Sequence, residues 1–363
     1  MPESSPLAIA SLGLLSGGGD DLAGLLAFQA SGMAPDTRAA QVQAITDEPV
    51  RHPVRSIVPD FNVRERLGRK GTSTFDRNTA LAVVACTRAL DAAGTVLDTG
   101  AESRESTGVC LGTTVGSFES TSDFTTETLI HEKPYLVNPL LFPNTIMNGA
   151  AGQVAIRHGL HGPNVTVAGG PIAFITAMTT AQRLIRLGKA STMIVAGVEE
   201  FSPKRAALAE AMDAPPIGEA AVAAVVTAQD PEATNSLYLL SSALAFQAGA
   251  EPSTEAMARC VRAVVAQAQI DPAAVDLAYT GETGETDTEQ IAAIGVALGR
   301  TPRRLLVTPT FGDCGAATAG IAMALASAPD SNYSYCLVTG RDGRGAIGAM
   351  LLGRRGAHAD DRQ

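Results

Sequence analysis

Apolar positions along this chain gather into short runs set apart by helix-length segments, the pattern of a protein that alternates strands with helices. Five runs in the first part read as strands: PLAIASLGLL, TGVCLGTT, NVTVAGG, STMIVAGVEE and AAVAAVVTAQD. Five more follow in the second: SLYLLSSALAFQ, DLAYTGE, RLLVTPT, YCLVTGR and AIGAMLLG. Between them the spacing predicts a helix from Thr74 to Ala93, with Leu81, Val84 and Leu90 on one face and Gly94 as its stop. Another runs from about Pro171 to Leu187 and ends at Gly188. The last two strands of each half are expected to close it as a hairpin, most plainly in YCLVTGRDGRGAIGAMLLG. Two βα halves of five strands, residues 1–230 and 236–363, meet at DPEATN (Asp230 to Asn235). They imply an internal structural duplication although their sequences barely match. The last eleven residues, GRRGAHADDRQ, are polar and read as a frayed end.

Two segments resist this pattern. RHPVRSIVPDFNVRERLGRKG carries six Lys or Arg and little periodicity, so it reads as a long solvated loop, with contact to an acidic partner as the alternative. The triple glycine of LLSGGGDDLAG suggests a dinucleotide fingerprint but fails it: counted from Gly17 the third glycine position is Leu22, and counted from Gly19 the second is Asp21.

Composition narrows the function. With 363 residues, 45% hydrophobic content, few aromatics, no Trp and 36 glycines, the chain suits aliphatic layers packed closely in an α/β protein. A formal charge of -10 and a pI near 5 argue against a nucleic-acid partner and against an anionic membrane surface. The N-terminus has no Lys or Arg before its short apolar run, and no run reaches the roughly 18 residues of a membrane span, so a cytoplasmic location is expected. Cys86, Cys110, Cys260, Cys314 and Cys336 form no CxxC pair and read as buried reduced thiols. The histidines show no HExxH spacing, so neither a metal nor another cofactor is expected.

The chemistry turns on GPNVTVAGGPIAFITAM, Gly162 to Met178, where an apolar strand passes a glycine pair and enters a helix at a proline. Around it, Phe142-Pro143-Asn144, Asn148, Gly162-Pro163, the helix end LIRLGKA and the strand MIVAGVEE stand in a familiar order. The run from Asn138 to Pro203 resembles the central segment of the β-ketoacyl synthases, the thiolase-fold condensing enzymes of fatty-acid and polyketide assembly. Weaker similarity extends from IASLGLLSGGGDDLAGLLAFQASG through Gly218-Glu219 to the closing hairpin. The resemblance implies a thiolase-like α/β fold, with two pseudo-duplicated five-stranded βα halves in an αβαβα layered architecture.

In that family the strand before the central helix ends in a cysteine nucleophile, placed where unpaired N–H groups and the helix dipole stabilise a thiolate. Counted from Gly162-Pro163, that position is Pro171 here, which has neither a nucleophilic atom nor an N–H. Proline suits the first turn of a helix, so the resemblance implies a fold retained and a chemistry lost. The family's first catalytic histidine opens a His-Gly-Thr segment; AYTGETGETDTE offers Thr280-Gly281 there, with Tyr279 as the alternative alignment. The family's lysine and second histidine precede a Gly-Ala-Ala turn, where TPTFGDCGAATAG puts Thr308 near the lysine and Asp313 at the histidine. The late glycine loop reads RDGRGAI, Arg341 to Ile347. Cys314 is the one displaced nucleophile to weigh. The neighbouring Asp313 would raise its thiol pKa, no His lies close in sequence, and a small buried residue is the plainer reading. His131, His158 and His161 read as structural or solvated.

Relatives that keep the fold and lack the cysteine are chain-length factors, the inactive halves of ketosynthase heterodimers in type II polyketide synthases, although those have glutamine where Pro171 stands. The resemblance implies an active ketosynthase subunit as partner, with acyl carrier protein meeting this acidic chain indirectly through it. It also places NPLLFPNT at the subunit interface, where Leu140, Leu141, Phe142, Pro143, Asn144 and Met147 would help form the tunnel floor of the other subunit. Plain interface packing is the bland alternative for these residues. An acyltransferase or condensing enzyme with a displaced nucleophile, and a homodimeric acyl-binding scaffold, are the competing functions.

Overall fold

The computed structural model describes residues 6–33, 35–94, 101–228, 237–284, 286–329 and 332–354. Its strands, in chain order, are Leu7–Leu15 (β1), Val54–Ser56 (β2), Thr107–Thr113 (β3), Asn164–Ala168 (β4), Thr192–Glu199 (β5), Ile217–Gly218 (β6), Ala220–Thr227 (β7), Leu237–Phe246 (β8), Val275–Thr280 (β9), Arg303–Leu306 (β10), Tyr335–Arg341 (β11) and Ala346–Arg354 (β12). The ten strands expected from the apolar runs form one sheet in the order β10-β9-β11-β12-β8-β1-β7-β5-β3-β4. They were legible because β3, β5 and β7 are buried at every position, which requires unbroken apolar or small residues.

The duplication is topological. Taken within its own half, each set runs third, second, fourth, fifth, first, with parallel pairs at one end and antiparallel pairs toward the middle. The halves meet where β1 and β8 pair antiparallel at Leu7–Leu239, Ala8–Tyr238 and Ile9–Leu237. The linking segment Asp230 to Asn235 and most of the polar C-terminal run lie outside the described residues.

Helices fill three layers around this sheet. Ala173–Arg186 and Thr318–Ala326 lie between the halves and touch strands of both. Thr318–Ala326 is buried throughout, so its sequence TAGIAMALA carries no polar stripe. Arg77–Ala93 and Gly149–His158 cover the outer face of the first half, and Ser253–Ala268 and Glu289–Leu298 that of the second. The predicted helix from Thr74 begins three residues later. Asp76 accepts a hydrogen bond from Thr79 N–H at 2.7 Å as the N-cap, and Gly94 ends the helix at φ 51°. Leu81, Val83 and Val84 on this helix are fully buried, each worth about 1.5–3 kcal/mol relative to exposure. At β5, Gly197 is required by close approach: a Cβ there would fall onto the Ala316 carbonyl.

Two expectations are corrected. The basic segment is not a solvated loop throughout: β2 pairs with β6, and Ile57 and Val58 are buried beside it. Its periodicity was hidden because β2 has only three residues, with Arg55 outward between buried Val54 and Ser56. The first half also does not close with a hairpin. β5 and β7 pair antiparallel, but helix Pro203–Ala211 and β6 lie between them in the chain, whereas β11 and β12 do form a hairpin.

Candidate functional site

β4 ends at Ala168 and the chain turns through Gly169 and Gly170, the latter at φ 53°, into a 3₁₀ turn Gly170–Ile172 and then the central helix. Pro171 occupies the first turn, where its missing N–H removes a donor that no intrahelical carbonyl would have accepted. Its carbonyl packs against β11 so closely that a Cβ on Gly340 would lie 3.2 Å from it. Pro171, Thr308 and Asp313 line one cavity of about 510 Å³, which extends toward the second half past Gly281, Gln290 and Arg341. Among the described residues no cysteine, histidine or lysine lines it.

Thr280 does not join them. It is buried, and its hydroxyl donates to Glu282 Oε2 at 2.6 Å, leaving the neighbouring Gly281 to form the wall. Glu282 is itself fully buried. It accepts from Gln290 and Ile291 N–H groups at 2.8 and 3.1 Å, and Arg304 Nη1 lies 3.2 Å from its other oxygen. The carboxylate thus holds the N-terminal turn of helix Glu289–Leu298 and positions Gln290 on the cavity. Tyr279, the alternative alignment, is buried in the sheet and does not line the cavity.

A second buried network supports the opposite wall. Glu199 accepts from the Thr114 hydroxyl and from Ala316 N–H, and Arg205 lies 3.5 Å away. Burial pushes its carboxyl above the usual range, while Arg205 and these hydrogen bonds pull it back down in part. Arg205 also donates to the carbonyls of Glu200, Gly218 and Asp313 at 2.8 to 2.9 Å, tying β5, β6 and the Asp313 turn together. The Asp313 carboxylate accepts from Gly315 N–H at 2.8 Å. Glu219 holds Arg77 through two bonds of 2.6 and 2.7 Å and accepts from Val58 and Phe201 N–H groups at 2.9 Å. Glu200 accepts from Asn78 and Glu119 N–H groups; burial, reinforced by Asp76, pushes its carboxyl up to about 8. None of these glutamates was singled out as a site residue from the sequence. The available signal was an acidic residue abutting a wholly apolar strand, at VEE and at GEAAVAAVV.

Cys314 is fully buried, donates to the Phe311 carbonyl at 3.6 Å, and does not line the cavity. Burial pushes its thiol far above the ordinary range, so it is a poor nucleophile. The other four cysteines are buried as well. His158 shares a 3.0 Å contact with Thr87, His161 lies 2.7 Å from Glu105 on the surface, and His131 is exposed at a helix end. Among the described residues no group of three or more His, Cys, Asp or Glu is placed to hold a metal ion, and no helix is long and apolar enough to cross a membrane.

Leu140, Leu141, Phe142, Pro143, Asn144 and Met147 lie elsewhere. None lines the cavity beside Pro171. Phe142–Thr145 forms a 3₁₀ turn braced by Asn144, which donates to the Thr74 carbonyl at 2.9 Å. Leu140 is 70% exposed, and Phe142 and Met147 are about half exposed, in a stretch that also presents Leu129, Ile130, Tyr135, Leu136 and Ile146.

Comparison with known proteins places the fold in a family. Residues 9–215 match the family described as Beta-ketoacyl synthase, N-terminal domain. The chain belongs to the β-ketoacyl synthase family. A 3-oxoacyl-[acyl-carrier-protein] synthase 2 of Rhizobium meliloti (strain 1021) is 35% identical over 139 residues, 38% of this chain and 32% of that protein. The chain spans about a third of the length of the curated synthases that it matches first. Among solved structures, the ishigamide ketosynthase/chain length factor aligns over 97% of this chain and 100% of that one, at 29% identity and TM-score 0.78. A type II polyketide-synthase ketosynthase solved with its acyl-carrier protein also gives TM-score 0.78 over 96% of this chain and 99% of that one, at 14% identity, a likeness of fold. The thiolase-like architecture is thereby established for this chain.

Proposed function

We propose that this chain is a non-catalytic ketosynthase-like subunit, of chain-length-factor type, which pairs with an active ketosynthase and shapes the acyl tunnel during polyketide elongation. The observation that carries this reading is Pro171: the turn at the end of β4 is built, yet it presents a pyrrolidine ring to a cavity that no thiol or imidazole lines among the described residues. Thr280, Thr308 and Asp313 complete the reading as replacements for the family's two histidines and lysine.

The surface supports the pairing. β4 is the outermost strand of the sheet, and its residues are exposed or half-buried, unlike those of β3 beside it. The exposed apolar stretch from Leu129 to Met147 is a surface that a partner would cover, with Leu140, Leu141 and Phe142 toward that partner's tunnel. A packed tunnel tolerates little overlap, so side-chain bulk can set length without a catalytic atom. The chain's charge of -10 directs an acidic carrier protein mainly to the partner.

The test is co-expression with an active ketosynthase, size-exclusion chromatography with mass spectrometry, and an extension assay with Leu140→Trp. A 1:1 complex whose product shortens in the variant is expected. A chain that remains homodimeric and takes up acyl groups unaided would overturn the reading.

A further inference from the structure

Arg55 of the basic segment lines a second pocket. We propose that a polar pocket of about 300 Å³, bordered by Pro309 and Thr310 of the short helix Thr308–Phe311, binds a phosphomonoester through Arg38 and Arg55. The inference is independent of the proposed pairing.

The backbone brings Arg38 and Arg55 to one pocket. Arg38, on helix Pro35–Ile45, donates from Nη1 to the Val54 carbonyl at 3.0 Å and from Nη2 to the Met33 carbonyl at 3.4 Å. A guanidinium has five N–H donors, so this one is held in place with donors to spare. Val54 immediately precedes Arg55. The strand alternation of β2, buried, exposed, buried, turns Arg55 outward beside the carbonyl that fixes Arg38. Both arginines line the pocket together with Thr310, whose hydroxyl suits an oxyanion contact; Ser31 also lines it, with its hydroxyl donating to the Ala27 carbonyl at 2.9 Å.

Among the described residues neither guanidinium is paired with a carboxylate. Elsewhere arginines lie against carboxylates, as Arg77 does with Glu219 and Arg304 with Glu282. Arg38 also borders a neighbouring pocket lined by Asp47 and Glu48 without an ion pair to either, and no carboxylate is among the described residues that line the pocket it shares with Arg55. Two forked guanidiniums, each able to engage two oxygens, match the shape and near-double negative charge of a phosphomonoester at neutral pH. The concavity favours a small ligand: its volume lies at the lower end of small-molecule sites, whereas an acidic protein would need a broad patch.

The experiment is isothermal titration of the full chain with inorganic phosphate and, separately, with glycerol 3-phosphate. Sodium chloride holds the ionic strength constant, and Arg55→Ala and Arg55→Lys are titrated alongside. Arg55 is exposed, so its substitution leaves the core intact. Glycerol 3-phosphate is expected to bind, with an affinity about tenfold lower in Arg55→Ala and partly restored in Arg55→Lys. Equal binding of inorganic phosphate would assign recognition to the phosphate group alone; weaker binding would assign part of it to the ester. Heat no greater than the chloride control, or an affinity unchanged within twofold in Arg55→Ala, overturns the proposal. So does Arg55-dependent binding of a hexaglutamate peptide where both phosphates fail, which would make this a protein contact.

Discussion

Replacing Pro171 by cysteine would separate what the turn can do from what the cavity can do. The substituted residue would sit in the first turn ahead of the 14-residue helix Ala173–Arg186, which carries no acidic residue in its own first turn. A helix N-terminus stabilises an anion by about 0.3–1 kcal/mol, up to about 2. At about 1.36 kcal/mol per pKa unit, this lowers a thiol from about 8.5 to about 7.5, leaving roughly a quarter as thiolate at pH 7. The new thiol should therefore alkylate with iodoacetamide and accept an acyl group from a thioester, because both steps need only a thiolate. Condensation is different. It requires donors for the charge that develops on the malonyl thioester oxygen, and losing one such donor typically costs about 10²–10³ in rate. With Thr308 and Asp313 on the wall and Thr280 committed to Glu282, two such losses place condensation about 10⁴-fold or more below an active synthase. Mass spectrometry of the acyl-enzyme and a malonyl-thioester extension assay read the two steps separately. Condensation within about 100-fold of an active synthase would refute the reasoning, because the cavity would then supply the missing groups from residues read here as replacements.

Three further outcomes test the frame around the cavity. Arg205→Met removes three carbonyl bonds and strands buried Glu199, so urea denaturation should show a loss of about 3–5 kcal/mol; a loss below about 1 would mean that the network is not holding this wall. Glu200 carries a folded-state pKa of about 8 against an ordinary 4.5, so the folded state keeps a proton that the unfolded chain releases. Its contribution to stability falls by a few kcal/mol, to order of magnitude, as pH rises from about 4.5 to about 8 and then levels. Glu200→Gln should flatten the difference between urea midpoints at pH 5.5 and 8.5, and an unchanged difference would assign it elsewhere. Gly197→Ala forces a methyl onto the Ala316 carbonyl and should cost about 1–3 kcal/mol by the same assay; a neutral result would show that the Gly315–Ala317 turn can retreat.

The strands were readable for a reason that also explains what was not. Strands buried on both faces, such as β3, β5 and β7, leave continuous apolar runs, and the partly exposed β4 and β10 kept enough apolar residues to be read beside them. β2 left none, because its three residues alternate around Arg55 within a charged segment. The gathering of Pro171, Thr308 and Asp313 at one cavity was legible through family spacing, whereas the inward commitment of Thr280 was not: a threonine at a strand end looks the same whether it faces a cavity or a buried carboxylate. The glutamates were hidden because burial of a charge is intelligible only once its partners are known. Arg205 lies six residues beyond Glu199, yet its guanidinium also reaches Gly218 and Asp313 from distant parts of the chain.

Those buried charges bear on how the cavity keeps its walls. An unpaired carboxylate in the interior costs several kcal/mol, so Glu199, Glu219 and Glu282 are tolerated only because each is met by an arginine and by backbone N–H groups. Each set fixes a different part of the frame. Glu199 and Arg205 hold the Asp313 turn against β5 and β6, Glu219 clamps Arg77 at the start of its helix, and Glu282 sets Gln290 at the far wall. The remaining loop is closed by Asp342, which accepts from the N–H groups of Arg344 and Ala346 at 2.9 and 2.8 Å. None of these supports passes through the side chain of Pro171 or Thr308. These walls are therefore held without help from the side chain that stands at the end of β4. It also means that Pro171→Cys can alter reactivity while leaving the walls where they are.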